Sequence, residues 1–214
     1  MAGTTERPPP PPSRLPDAAG IGRVLTDALR GRTPREIPGP GRRAAVLVVL
    51  YDHKDEPHLL LTKRSDALPS HPGQIALPGG VIDREDSSAR DAALRETEEE
   101  VGIPRAALRV VGELDDVGTM SSGFIIRPFI AVLTGAMVAT PSDAEVARVI
   151  DVRLIDLLRA DAVLPLDLAP LALRYPLADE DVWGATARIL RTFSRVVLFA
   201  LSAAARPEAE DPAR

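Results

Sequence analysis

The chain has no cysteine, and aromatic side chains make up only 3% of its 214 residues. The first absence excludes a disulfide framework and any thiol chemistry. A hydrophobic run long enough to cross a bilayer is also missing, because Arg188, Arg191 and Arg195 interrupt the apolar C-terminal stretch. The formal net charge of −5 argues against nucleic acid or a membrane surface as a partner.

Apolar residues make up 45% of the chain, which is enough to bury one substantial core. We expect a single domain over residues 21–205. The prolines from Pro8 to Pro12 predict a disordered tail over residues 1–20, and residues 206–214 are expected to form a second, flexible tail. Because the N-terminal stretch is neither a signal peptide nor a transmembrane segment, we expect a cytoplasmic protein.

The order of the apolar segments predicts an α+β fold, with a mixed sheet sandwiched between helices in α/β/α layers. Strands are expected over residues 44–51, 58–63, 109–114, 125–133 and 147–152. Helices are expected over residues 21–30, 88–101 and 186–204, with a short one starting at Leu154. The last helix is apolar enough to be buried, either against the sheet or at a homodimer contact. The helix over 88–101 has Asp86 or Ser87 as its expected N-cap and Gly102 as its C-cap.

The most informative feature is a cluster of glutamates near the end of that helix. Glu96, Glu99 and Glu100 are three and four residues apart, so the helix brings their carboxylates to one face. Like charges there repel one another, and the helix dipole disfavours anions in the last turn before Gly102. A hard divalent cation, Mg²⁺ or Mn²⁺, would remove both penalties. The alternative is an ordinary solvated face, in which Arg95 and Glu99 form a surface pair.

The segment Pro78-Gly79-Gly80 favours the metal-binding interpretation. A pair of glycines allows the backbone to approach a ligand closely, because no side chain stands in the way. Followed by Arg95, Glu96, Glu99, Glu100 and Gly102, this segment resembles the signature of the Nudix hydrolase family. Gly80 is one residue further from Arg95 than the common spacing. Asp86 is then the acid nearest to the position at which the signature has a glutamate.

The longer spacing is similar to that of the coenzyme A pyrophosphatase branch of the family. The upstream segments Leu60-Leu61-Thr62-Lys63-Arg64-Ser65 and Ser70-His71-Pro72-Gly73-Gln74 also resemble that branch's second motif. Two positions differ from it, because Pro69 stands in place of an arginine and Leu77 in place of a phenylalanine.

The resemblance implies metal-dependent hydrolysis of a pyrophosphate bond in a nucleoside diphosphate derivative. It implies that Glu96, Glu99 and Glu100 bind Mg²⁺ or Mn²⁺, with a carbonyl of Gly79 or Gly80 completing the shell. Arg95 would orient Glu99 and keep it ionised. The general base is either a glutamate of this cluster, such as Glu99, or Glu145 from a later segment. Asp86 is an outer ligand or a helix cap.

For substrate binding, the same resemblance implies that Arg64 contacts the 3′-phosphate of coenzyme A, with Ser65 and Gln74 helping to position it. His71 suits a turn or a substrate contact, and Gly79 lies where the backbone would meet the diphosphate. Phe124, Phe129 and Trp183 are either core residues or stacking surfaces for adenine. These aromatic positions stay open at the sequence level.

Three functions remain to be separated. The leading one is a coenzyme A pyrophosphatase that produces 3′,5′-ADP and 4′-phosphopantetheine. The second is a Nudix hydrolase acting on ADP-ribose or another nucleoside diphosphate derivative, for which Pro69 and Leu77 are the support. The third is a non-catalytic module that senses a nucleotide, which would be expected to have lost the glutamates that are present here.

Overall fold

The computed structural model of the protein describes residues 6–68, 70–119 and 123–206. The helices of this part are α1 (Ala18–Leu29), α2 (Ala89–Val101), α3 (Leu154–Ala162) and α4 (Gly184–Ala204). The strands are β1 (Arg42–His53), β2 (Glu56–Arg64), β3 (Ile75–Ala76), β4 (Gly79–Val81), β5 (Leu108–Glu113), β6 (Val117–Gly118), β7 (Phe124–Leu133), β8 (Val146–Arg153), β9 (Arg174–Leu177) and β10 (Glu180–Trp183). Short 3-10 turns occupy Arg105–Ala107 and Pro170–Ala172.

Strand β1 is the centre of a mixed sheet. It pairs antiparallel with β2 and β4 and parallel with β7, whereas β5 and β6 pair antiparallel with β7. On the other side, β3 and β8 extend the sheet from β2. Strands β9 and β10 form a separate hairpin. The predicted mixed sheet is therefore confirmed.

Both faces of the sheet are covered by helices. In β1, Ala45, Leu47 and Val49 point to the face that packs against α2, while Val46 and Val48 point to the opposite face. That opposite face packs against α1, α3, α4 and the hairpin. A strand buried on both faces reads as a continuous apolar run, as β1 does. The α/β/α layering predicted from the sequence is correct.

Helix α4 is buried within its own chain. Phe193 and Val197 are fully buried, and the helix packs against α1 and α3. At the α3 contact, the buried Asp161 accepts hydrogen bonds from Tyr175 Oη at 2.6 Å and from Ser194 Oγ at 3.4 Å. Of the two sequence-level alternatives for this helix, burial inside the fold is the one observed. In the described part of the chain, no helix combines the length and apolarity needed to cross a membrane.

The start of α2 differs from the prediction. Its N-cap is Ser88, whose side chain accepts a hydrogen bond from the Asp91 amide at 3.1 Å, and neither Asp86 nor Ser87 has this role. The Asp86 carboxylate is engaged by Arg95 instead. The end of the helix was predicted correctly, because Gly102 adopts the left-handed conformation with φ of 71°.

The N-terminal helix begins earlier than expected. Helix α1 starts at Ala18, after Asp17 accepts a hydrogen bond from the Gly20 amide at 2.6 Å, so it overlaps the last residues of the expected tail. Within that tail, Pro8 is buried, and an Arg7 guanidinium nitrogen donates to the Ala162 carbonyl at 3.4 Å. Residues 1–5 and 207–214 of the two expected tails lie outside the described residues.

Candidate active site

The three glutamates of α2 are in different environments. Glu100 points toward the sheet and is only 5% exposed, and Glu96 is partly buried beside it. Glu99 lies at the rim, with 59% of its side chain exposed. The three carboxylates of the predicted shared face therefore lie at different depths. Glu100 is nearest the sheet, and Glu99 is nearest the solvent.

The glycine pair of β4 forms the floor under these carboxylates. The Gly79 amide donates to Glu100 Oε2 at 3.0 Å. A Cβ atom on Gly80 would lie 2.4 Å from the Glu96 carboxyl carbon, so that the Glu96 carboxylate rests directly on the Gly80 backbone. A Cβ atom on Gly79 would lie 2.3 Å from the Ala45 carbonyl oxygen, and the φ of Gly79 is +141°. The Gly79 position therefore requires glycine, whereas a side chain at Gly80 would have to displace the Glu96 carboxylate.

The electrostatics of the cluster favour a bound cation. Burial raises the pKa of Glu100 to about 7, and it also raises the pKa of Glu96 above its ordinary value. The negative charge of Glu145 raises both pKa values further, whereas the positive charge of Arg64 lowers that of Glu100. A bound cation would favour the ionised form of both carboxylates and so offset the cost of their burial.

The donor set fits Mg²⁺ or Mn²⁺. In residues 6–68, 70–119 and 123–206, no three acidic, histidine or cysteine side chains converge closely enough to hold an ion by themselves. A site with Glu96, Glu100 and the Gly79–Gly80 backbone supplies only oxygen ligands. Magnesium suits such a site, because it usually keeps several waters and adds substrate phosphate oxygens to one or two carboxylates. The structure brings Glu96, Glu100 and Gly80 together, and leaves Glu99 at the rim.

Arg95 ties the cluster to β4. Its Nε and Nη2 donate to the two Asp86 carboxylate oxygens, each at 2.9 Å, and its Nη1 donates to Glu96 at 2.8 Å and to Glu99 at 3.0 Å. Nη2 also donates to the Val81 carbonyl at 3.2 Å. The contact between Arg95 and Glu99 was predicted, but the contacts with Asp86 and Val81 were missed. The Arg95 guanidinium holds the pKa of Asp86 below its usual range.

We expect Arg95→Lys to lower activity by about 10–100-fold, the usual effect of removing a group that orients metal ligands. Lysine carries a compact ammonium and cannot reproduce the planar fork that binds Asp86, Glu96 and Glu99 together. The Asp86 side chain is only 3% exposed, so stability should also fall, by about 1–3 kcal/mol. Steady-state kinetics and urea unfolding check both effects. Arg105→Lys is the matched control, because Arg105 pairs with Glu98 on the exposed side of the same helix.

The residues of the predicted second motif are divided between the core and the rim. Arg64 ends β2, and its amide donates to the Gln74 carbonyl at 3.0 Å. His71 is exposed in a turn with φ of 55°, and the Ser65 hydroxyl accepts from the Ala67 amide at 3.4 Å. Leu77 is 4% exposed and belongs to the core, so its difference from the motif affects packing. Pro69 lies outside the described residues.

Glu145 lies next to this motif. The Ser65 amide donates to the Glu145 carbonyl at 2.9 Å, directly before β8 begins at Val146. The Glu145 side chain is exposed, and its charge acts on both Glu96 and Glu100. Glu145 is thus close enough for its charge to act on the cluster, and its role as the general base stays a prediction.

The three aromatic candidates have different positions. Phe129 is buried in the core on the α2 side of the sheet. The Arg42 guanidinium lies 4.6 Å above the half-buried ring of Phe124. Trp183 is exposed at the end of the hairpin, with Arg174 against its ring. Phe129 is thus a core residue, and the other two rings are open to solvent on at least part of their surface.

Comparisons with known proteins agree with this architecture. Residues 41–172 match the NUDIX domain family. The chain is 35% identical to the uncharacterised Nudix hydrolase NudL of Yersinia enterocolitica, over 82% of this chain and 94% of that protein. It is 36% identical to NudL of Photorhabdus laumondii, over 77% of this chain and 89% of that protein. A MutT/nudix family protein from Enterococcus faecalis is similar in fold, with a TM-score of 0.50 at 18% identity, over 86% of this chain and 76% of that one.

Proposed function

The chain belongs to the Nudix hydrolase family, and we propose that it hydrolyses the pyrophosphate bond of coenzyme A or an acyl-coenzyme A. Nudix hydrolases act on nucleoside diphosphate derivatives and generally use divalent metal ions. The observation that carries the finer assignment is the segment from Leu60 to Gly80, whose motif resembles that of the coenzyme A pyrophosphatase branch. Support also comes from the neighbouring acidic cluster.

The proposed ligands of Mg²⁺ or Mn²⁺ are Glu96, Glu99, Glu100 and a carbonyl of Gly79 or Gly80. When bound, the ions neutralise the diphosphate and acidify the attacking water. Arg95 orients Glu96 and Glu99, and the Gly79 amide fixes Glu100. Glu145 or Glu99 takes a proton from the attacking water while the water oxygen forms its bond to phosphorus. The bond from that phosphorus to the bridging oxygen breaks, and the two products are 3′,5′-ADP and 4′-phosphopantetheine.

Substrate binding is assigned to the rim beside Glu145. Arg64 is joined to Gln74 and Ser65 to Glu145 by backbone hydrogen bonds, and His71 and Gly79 complete the proposed set. We propose that the catalytic domain extends over residues 21–205 and acts on a small molecule without a nucleic-acid or membrane partner. A cytoplasmic location and a homodimeric state belong to the same proposal.

The test is a product analysis on purified protein with coenzyme A, ADP-ribose and NADH in parallel. With Mg²⁺ or Mn²⁺, we expect 3′,5′-ADP from coenzyme A to form fastest and to disappear with EDTA. A preparation of the Glu100→Gln variant, purified identically, controls for contaminating hydrolases. Cleavage of ADP-ribose but not coenzyme A would replace the proposal with its main alternative. Metal-dependent binding without turnover of any substrate would favour the nucleotide-sensing module.

A further inference from the structure

The Arg64 guanidinium has no partner in the part of the chain that the structure describes. Its Nε is buried without a hydrogen bond, and no described carboxylate forms an ion pair with it. Buried polar groups in native proteins are nearly always satisfied, so an unpaired one requires an explanation. For a guanidinium, the missing partner is an acceptor, and a planar anion with several oxygens suits its fork best.

The neighbouring cation, Lys63, is paired, in contrast to Arg64. The two-residue period of β2 points Lys63 to the hairpin face, where Glu180 pairs with Lys63 at 3.2 Å and also with Arg148. Arg64 points to the opposite face with Leu60, which packs on the α2 side. Between Lys63 and Arg64 the pairing of β2 with β8 is irregular, and such irregularities often re-aim side chains beside active sites. The basic pair of the sequence is therefore split between two faces.

The position of Arg64 relative to the carboxylates identifies the anion. Arg64 pairs with Val146, directly after Glu145, and its charge is felt by Glu100. Glu100 is in turn bonded to the Gly79 amide on the floor of the site. The Arg64 guanidinium is thus close enough to the acidic cluster for its charge to act on Glu100, and the proposed function requires the scissile diphosphate to bind beside this cluster. In coenzyme A the 3′-phosphate is separated from that diphosphate by the whole ribose.

We infer that Arg64 binds the scissile diphosphate itself, and not the 3′-phosphate that the motif suggested. This inference rests on the proposed function and assigns a role within its site. The site otherwise presents Glu96, Glu99, Glu100 and Glu145 to an anionic substrate. Arg64 supplies a positive charge that can bind the diphosphate oxygens. It stabilises the charge that builds up on phosphate oxygens during hydrolysis.

The experiment compares Arg64→Ala and Arg64→Lys on coenzyme A, dephospho-coenzyme A and ADP-ribose. Only the first of these substrates has a 3′-phosphate, but all three have the diphosphate. We expect Arg64→Ala to lower kcat by about 10²–10³-fold on every substrate, by similar factors, as for loss of one donor to a developing charge. Added guanidinium ion should partly restore Arg64→Ala, and Arg64→Lys should retain an intermediate activity.

A binding measurement separates this role from a structural one. α,β-Methylene-ADP has a diphosphate mimic and no 3′-phosphate, and calorimetry should show that Arg64→Ala weakens its binding by at least about tenfold, as for loss of a charged hydrogen bond. Lys63→Ala is the matched control, because it removes the adjacent cation on the other face of the sheet. It should leave both kcat and binding near the wild-type values. Thermal unfolding of all variants verifies that they are folded.

The outcomes are distinct. A loss confined to coenzyme A, with dephospho-coenzyme A unaffected, would overturn the inference and assign Arg64 to the 3′-phosphate. Unchanged binding of α,β-methylene-ADP would overturn it as well. If wild-type protein cleaves ADP-ribose but not coenzyme A, the proposed substrate is wrong, yet the role of Arg64 is still decided by the ADP-ribose data. Equal losses on all cleaved substrates support it.

Discussion

Glu100→Gln is expected to abolish hydrolysis and, at the same time, to stabilise the metal-free protein at pH 8. The substitution removes the charge of the most buried carboxylate but keeps its shape and an oxygen that can accept from the Gly79 amide. Without this proposed ligand, the ions that would neutralise the diphosphate would be held weakly. Metal ions contribute several kcal/mol to such reactions, so we expect kcat to fall by about 10³-fold or more.

The gain in stability follows from the pKa of Glu100. Burial raises that pKa from 4.5 to about 7, so the folded, metal-free protein holds the proton more tightly than the unfolded chain does. The stability that comes from tighter proton binding in the folded state is complete below pH 4.5. It is lost as the pH rises to about 7. Above that range the buried charge destabilises the fold, by about 3 kcal/mol. Glutamine cannot ionise and escapes this loss.

Urea unfolding in EDTA at pH 5 and pH 8 measures the effect. The variant should exceed the wild type clearly at pH 8 and only slightly at pH 5, and added Mg²⁺ should stabilise the wild type selectively. Glu98→Gln is the control, because Glu98 lies on the same helix but pairs with Arg105 outside the site. Its activity should stay within about threefold of the wild type, as expected for an exposed pair. A Glu100→Gln protein with nearly full activity would remove Glu100 from the ligand set.

The acidic helix could be predicted from the sequence because its signals are local. The spacing of Glu96, Glu99 and Glu100 fixes their direction on a helix, and Gly102 supplies the left-handed residue that ends it. What the spacing cannot give is the depth of each carboxylate, which depends on the sheet beneath. Glu100 is buried and Glu99 is exposed because α2 packs on β1 and β4 with one edge only.

The N-cap of α2 shows how a tertiary contact overrides a local preference. Asp86, Ser87 and Ser88 are all good caps, and the sequence favoured the first two. Arg95, further along the helix, donates hydrogen bonds to both carboxylate oxygens of Asp86. The N-cap is therefore Ser88. The sequence could have suggested Asp86 as a partner of Arg95, because Asp86 is the last carboxylate before the helix.

Several strands had no signal in the sequence. Strands β3, β4 and β6 have two or three residues each, too few for a two-residue period to be recognised. The hairpin of β9 and β10 turns at Ala178 and Asp179, both with positive φ and neither a glycine. The usual Asn-Gly or Asp-Gly hairpin signal is therefore missing. The long strands β1, β2 and β7 were predicted because their apolar runs are continuous.

Alanine substitutions in the glycine pair should separate catalysis from folding. Gly80→Ala places a methyl group 2.4 Å from the Glu96 carboxyl carbon, at the movable end of a side chain. The carboxylate must shift by about an ångström, and such a misplacement can cost about 10²-fold in rate. We expect kcat to fall by that factor, with a change in stability below about 1 kcal/mol. Metal affinity, measured by calorimetry with Mn²⁺, should weaken in parallel.

Gly79→Ala should behave in the opposite way. Its methyl group would lie 2.3 Å from the Ala45 carbonyl oxygen, which is backbone in the central strand and cannot move aside, and the φ of +141° is strained for alanine. We expect a loss of stability of about 3 kcal/mol or more, measured by urea unfolding. The pair is informative because the two residues are adjacent in β4, yet only Gly79 has a positive φ and contacts the backbone of β1. If Gly80→Ala kept full activity and Mn²⁺ affinity, the carboxylate of Glu96 would not be a metal ligand, and the proposed site would have to rest on Glu100 and the rim alone.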